Sequence, residues 1–150
     1  MSAHELRREV VLACAPARAF ALFTEHAGAW WPPERRHTSD PTSVIQLRED
    51  GRFFERAGDG TEVELGRVRV WSPPDRLVFD FYPGTDRAHP TEVEVRFAAV
   101  PGAADRTAVT LVHRATPASE ALFGARAPRY LASWDLVLPA FVRAAELDRR

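Results

Sequence analysis

The sequence predicts an α+β fold: a curved antiparallel sheet covered by one long C-terminal helix, with two short helices after the first strand. Three observations predict it. Between residues 44 and 114, apolar residues recur with a period of two and are broken by Gly, Pro and Asp turn signals. After Pro128 the period changes to that of a helix. A sheet with one apolar face needs a cover, and the last helix is the element long enough to supply it.

The elements follow in order. Leu6 to Ala13 is rich in Val and Leu and stops before Pro16, which reads as a strand. Pro16 suits the first position of a helix. Phe20, Phe23 and Ala27 then recur at helical spacing, giving a helix of about two turns and a second short one ending at Trp30-Trp31. Residues 34 to 42 read as a loop. Val44 to Leu47 and Arg52 to Arg56 are short strands joined by the hairpin signal Asp50-Gly51. Gly58-Asp59-Gly60 turns the chain into Val63 to Trp71, and Ser72-Pro73-Pro74-Asp75 turns it into a strand carrying Leu77, Phe79 and Phe81. Residues 83 to 90 form a longer loop. Val93, Val95 and Phe97 mark the next strand, Pro101-Gly102 the next turn, and Ala108 to Arg114 the last strand. Thr116-Pro117 resembles a helix start, but Gly124 and Pro128 interrupt it, so the long helix is placed over roughly 128–148. Leu131, Trp134, Leu138, Phe141 and Ala145 form its apolar stripe, widened by Tyr130 and Val137.

Composition bounds the function. A chain of 150 residues suits a single domain, 1–150. A net charge of −1 argues against nucleic acid as a partner. All 20 basic residues are Arg, which excludes lysine Schiff-base chemistry. Cys14 is the single cysteine, so no intramolecular disulfide can form. Val11-Leu12-Ala13-Cys14 resembles a lipoprotein cleavage box, but the apolar stretch before it is too short and acidic residues precede it. No run reaches the ~20 apolar residues of a membrane span, and a cytoplasmic protein is expected. The five His show no metal-ligand spacing, and no phosphate-binding loop or nucleophile elbow is present, so neither metal nor cofactor is expected.

Several segments carry a resemblance. Pro16 to Glu25 is similar to a Pro-x-x-x-Phe-x-x-Phe-Thr helix, and Trp30-Trp31-Pro32 to a Trp-Trp-Pro segment. Gly51-Arg52-Phe53-Phe54-Glu55 is similar to a Gly-Gly-Arg-aromatic strand, with Asp50 in place of the first Gly. Gly66-Arg67-Val68 with Pro73-Pro74-Asp75-Arg76-Leu77, and Thr107 to Arg114, fit the strands that follow; Ser133-Trp134 stands where Gly-Trp is usual. In this order they resemble the START-like (SRPBCC) superfamily, in particular the branch named for the activator of the heat-shock-protein-90 ATPase. The resemblance implies a helix-grip fold. It does not fix a function, because that superfamily holds lipid and hormone carriers, polyketide cyclases and co-chaperone domains.

Sheet curvature leaves room for a cavity against the long helix. The residues expected to line it from the sheet are Phe54, Val68, Phe79, Phe97 and Leu111. Trp134 and Leu138 would line it from the helix, and Trp30 and Trp31 would close its mouth. His113 shares a face with Val109 and Leu111, points inward, and is the candidate general acid/base near neutral pH. Glu55, Asp80, Glu92 and Glu94 are expected on the solvent face. Arg52 and Arg56 flank Phe54 on one face and read as paired surface arginines. The favoured function is binding of a small hydrophobic molecule, aromatic or lipid-like. The alternatives are a cyclase or dehydratase acting through His113, and a chaperone-associated interaction domain. The sequence leaves room for a homodimer.

Overall fold

A computed structural model describes residues 4–148. The chain runs β1 (Glu5–Leu12), α1 (Pro16–Phe23), single 3₁₀ turns at Ala27–Ala29 and Pro33–Arg35, and β2 (Val44–Leu47). It continues through β3 (Arg52–Arg56), β4 (Glu62–Ser72), β5 (Arg76–Phe81), β6 (Thr91–Val100) and β7 (Ala103–Ala115) to α2 (Glu120–Asp148). The seven strands form one antiparallel sheet in the order β1-β7-β6-β5-β4-β3-β2. β2 to β7 are therefore a meander, and β1 closes the far edge by pairing with β7, Glu5 opposite Arg114 and Leu12 opposite Thr107. The sheet curls around α2, as the periodicity predicts.

The long helix starts eight residues earlier than expected, at Glu120 rather than Pro128. Pro128 and Pro139 lie inside it. Each removes one backbone donor and frees a carbonyl one turn back. Both prolines and Gly124 are on the solvent side, so water can satisfy what they leave unpaired. Ser119 supplies the start: its carbonyl accepts from the Leu122 and Phe123 N–H groups. The added two turns or so bring Phe123, fully buried, onto the sheet.

Two β-bulges bend β4. The register shifts against β3 at Phe53/Phe54 and against β5 between Val68 and Val70. Such bulges increase local twist, and here they curl β3 and β4 toward the helix. Gly66 sits between them, opposite both Phe53 and Phe81. A Cβ there would lie within 2 Å of the Asp80 carbonyl oxygen, so the close approach of β4 and β5 requires glycine.

The interior divides into two halves. At one end α1 inserts Phe20 and Phe23 between sheet and helix. Phe20 meets Phe97 and Trp71, and Phe23 meets Phe79 and Phe141, with ring centres 5.0–6.3 Å apart. This half is solid core. The other half lies beneath residues 129–137 of α2 and contains the cavity.

The outer sheet face is held by ion pairs. Arg69 donates to Asp80 at 2.6 and 2.9 Å, Arg76 to Glu94 at 2.7 Å, and Arg114 to Glu92 and Glu94 at 2.7 and 3.1 Å. Asp80 and Glu94 do point outward, but they are buried beneath these guanidinium groups rather than solvated.

Candidate functional site: an aromatic cavity with a cationic mouth

A cavity of about 500 Å³ lies between the β3–β5 side of the sheet, the N-terminal half of α2 and the 31–37 segment. Its inner wall is Phe53, Leu65, Phe81, Tyr130, Trp134 and Val137, with Trp31 closing one side. All are buried. The rings form a continuous surface: Phe81 is 6.3 Å from Phe53, 6.1 Å from Tyr130 and 5.8 Å from Trp134, and Trp31 meets Trp134 edge-on at 6.5 Å. The mouth is polar: Glu34, Arg35, Arg36 and His37 on one side, Arg129 and Ser133 on the other, and Pro83 and Gly84 between. Gly84 has a φ of 85° and approaches the Tyr130 ring too closely for a side chain. The Tyr130 hydroxyl donates to the Pro83 carbonyl at 3.1 Å, which ties this loop to the helix.

His113 stands behind the wall, not in it. It is fully buried, with Tyr130, Phe81, Phe123 and Trp134 around it at 4.2–6.0 Å between ring centres. The Trp134 indole N–H donates to His113 Nδ1 at 3.0 Å. An indole can only donate, so Nδ1 is unprotonated and the proton is on Nε2. Nε2 then donates to the Thr91 hydroxyl at 2.7 Å, and that hydroxyl donates to the Phe81 carbonyl at 3.1 Å. Every polar atom in this relay is satisfied within the protein. Burial lowers the His113 pKa to about 3, so the imidazole is neutral near pH 7. It fixes Trp134 in the cavity wall and has no free nitrogen for a substrate.

The 36–43 segment is clamped from beneath. Arg36 donates to the Ser43 carbonyl and hydroxyl at 2.6 and 2.8 Å, and to the Gly28 and Trp31 carbonyls at 2.7 and 3.0 Å. Glu55, expected on the solvent face, is fully buried. Its carboxylate accepts from the His37 N–H (2.7 Å), the Thr38 N–H (2.8 Å), the Thr38 hydroxyl (2.6 Å) and the Ser43 hydroxyl (3.0 Å). Burial alone would raise its pKa; the His37, Thr38 and Ser43 donors outweigh burial and hold it below the usual carboxylate range.

Of the residues expected at the cavity, Trp31 and Trp134 line it. Trp30 does not; it stacks on Phe141 at 4.9 Å and donates to the Leu22 carbonyl, inside the solid half. Val68, Phe79, Phe97, Leu111 and Leu138 are buried in the core, where α1 fills the space that a cavity would need. Phe54 is on the opposite face of the sheet, covered by Arg52 and Arg56 at 4.0 and 5.0 Å from its ring centre, while its neighbour Phe53 faces inward. Both arginines also pair with Glu62. Phe81 shares the inward parity of Phe79, and Tyr130 lies on the helix stripe; both signals were present in the sequence. The cationic mouth had no sequence signature, because it joins a loop to a helix nearly a hundred residues away. Among the described residues no three His, Cys, Asp or Glu side chains converge where a metal could sit.

The architecture is the helix-grip fold, a curled antiparallel half-barrel closed by a long C-terminal helix, and solved structures share it. CalC from Micromonospora echinospora, described as a self-sacrificing resistance protein, is 24% identical with a TM-score of 0.73, covering 97% of this chain and 96% of its own. Protein NE0264 from Nitrosomonas europaea is 13% identical with a TM-score of 0.68, covering 97% and 96%. Txn09, described as an anthrahydroquino-γ-pyrone synthase, is 25% identical with a TM-score of 0.54, covering 95% and 99%. No protein-family model matches the chain, and no curated protein matches it. No helix among the described residues is long and apolar enough to cross a membrane.

Proposed function

We propose that this chain binds a small aromatic molecule in the cavity beneath the N-terminal half of α2. The aromatic wall around some 500 Å³ of space carries the reading. Small-molecule sites fall in the range of ~300–1,000 Å³, with mostly apolar walls and a few polar groups at defined places. Rings on three sides favour a flat, polarizable ligand over a flexible acyl chain.

The test uses N-phenyl-1-naphthylamine, a neutral fluorophore, with binding read from probe emission and tryptophan quenching. Ser133→Trp adds a ring at the mouth without removing a core contact, and Trp31→Ala removes one side of the wall. The expected result is saturable one-site binding, weakened at least about tenfold in Ser133→Trp while the melting temperature is kept. Absence of binding, or binding indifferent to both variants, would overturn the proposal.

The cyclase or dehydratase reading is supported by the fold shared with Txn09 and by the polar groups at the mouth. It cannot run through His113, whose two nitrogens are engaged. His37 and Glu34, at the mouth, are the titratable groups left to it. The finer placement beside the heat-shock-ATPase activators rests on the motif order from Pro16 to Trp134. A chaperone-docking role would call for an apolar sheet face, and the outer face instead carries the Arg–Asp and Arg–Glu pairs.

A further inference from the structure

The cavity is apolar within but arginine outnumbers acid at its mouth, and that imbalance narrows the ligand. Among the described residues that line it, Arg35, Arg36 and Arg129 face a single acidic side chain, Glu34. Arg36 is committed, since both its Nη atoms donate to backbone carbonyls or Ser43. Arg35 and Arg129 are not: neither forms an ion pair among the described residues, which is also true of Arg67, Arg126 and Arg143, but only these two uncommitted guanidinium groups line the cavity. The Nε atoms of both Arg35 and Arg36 are in addition buried with no hydrogen-bond partner, and of the two only Arg35 also leaves its Nη atoms uncommitted to hydrogen bonds within the protein. A buried donor left unmet costs stability unless something else accepts from it. The two groups come from opposite sides of the opening, Arg35 from the 3₁₀ turn and Arg129 from the solvent-facing side of α2, one residue before Tyr130 in the wall.

We infer that the ligand is an aromatic anion: a ring system seated against Phe81, Trp134 and Trp31, with a carboxylate or comparable acidic group held at the mouth by Arg35 and Arg129. The inference rests on the cavity reading above and adds the charge to it. A guanidinium offers a planar fork of donors that matches an oxyanion. Two forks on opposite sides would fix the ligand's orientation, acid outward and ring inward, and Glu34 would reject a cationic group.

A matched pair of probes separates charge from shape. 1-Anilinonaphthalene-8-sulfonate carries the ring system of N-phenyl-1-naphthylamine plus one anionic group. An uncharged apolar cavity favours the neutral probe, because the sulfonate must give up water. Here the sulfonate is expected to bind at least about tenfold more tightly, in line with one or two charge-assisted hydrogen bonds. Its affinity should fall with added salt while that of the neutral probe does not. In Arg35→Gln/Arg129→Gln the preference should collapse to within about threefold; Arg143→Gln, on the exposed C-terminal part of α2, should keep it. Thermal melts check that each variant is folded. Equal affinities in the wild type, or a preference that survives the double substitution, would overturn the anion assignment alone. Binding of neither probe would overturn the cavity reading together with it.

Discussion

Lowering the pH should unfold this protein through His113, and the size of the effect follows from the relay. In the folded state the imidazole is enclosed by Phe81, Phe123, Tyr130 and Trp134, and its pKa is lowered to about 3. In the unfolded chain an ordinary histidine takes up its proton near pH ~6.5. Between these values the unfolded state binds one more proton than the folded state, so stability falls as pH falls. The contribution is fully present above pH ~6.5. At about 1.36 kcal/mol per pH unit, His113 alone costs about 2 kcal/mol by pH 5 and about 5 kcal/mol by pH 3. Domains have only about 5–15 kcal/mol in all. Urea unfolding monitored by far-UV circular dichroism at several pH values between 8 and 4.5 gives the wild-type slope. His113→Gln cannot titrate, yet its amide can still accept from Trp134 and donate toward Thr91. The variant should be less stable at pH 8 but should lack about 2 kcal/mol of the loss between pH 6.5 and 5. Imidazole ¹³C resonances offer a direct check. A His113 signal titrating with a midpoint above pH ~5, or a slope unchanged in His113→Gln, would refute the burial argument.

Further outcomes are expected elsewhere. Phe141 is fully buried and Leu138 nearly so in the helix–sheet seam, so Phe141→Ala should cost about 3–5 kcal/mol and Leu138→Ala about 2–5 kcal/mol in urea melts, and under ~1 kcal/mol for both would place the stripe away from the core. Glu55→Gln removes the charge that accepts from the 37–43 backbone and hydroxyls and should cost about 2 kcal/mol or more, with faster amide exchange at His37 and Thr38. That carboxylate's contribution is present above the unfolded value of ~4.3 and fades below it toward its lowered folded value, so the Gln variant should lose less stability than the wild type in that acidic window.

The periodic elements were legible because sheet and helix burial imprint a period on sequence. The β2–β7 meander and the α2 stripe are local patterns, and the structure reproduces them. What was not legible depended on parity or on distance. Phe53 and Phe54 are adjacent aromatics, so apolarity alone does not say which faces inward; the flanking Arg52 and Arg56 mark Phe54 as the outward one, a cue of greater weight than ring size. Pro128 read as a breaker because its position on the helix circumference, which decides whether the freed carbonyl meets water, is a property of the fold. Glu55 looked like any strand carboxylate, since its donors come from a loop that folds back over it. The cavity was expected to reach Phe79, Phe97 and Leu138, whereas α1 fills the space beside them with Phe20 and Phe23. His113 was expected to point inward, and it does; its neighbours leave it a brace for Trp134.

The edge pairing of β1 with β7 sets a timetable for synthesis. Glu5 finds its partner in Arg114 and Leu12 in Thr107, so the first strand emerges from the ribosome about a hundred residues before the strand it must join. At ~5–20 residues per second that is a wait of roughly 5–20 s. During it Leu6, Val10 and Leu12 have no sheet to bury them, whereas β2 to β6 can zip in succession as each hairpin appears. Closure of the sheet edge is therefore a late, long-range event of the kind that slows folding. A nascent chain stalled before residue 103 should present β1 as an unpaired strand open to holdase binding or pulse proteolysis. Release past Ala115 should withdraw it.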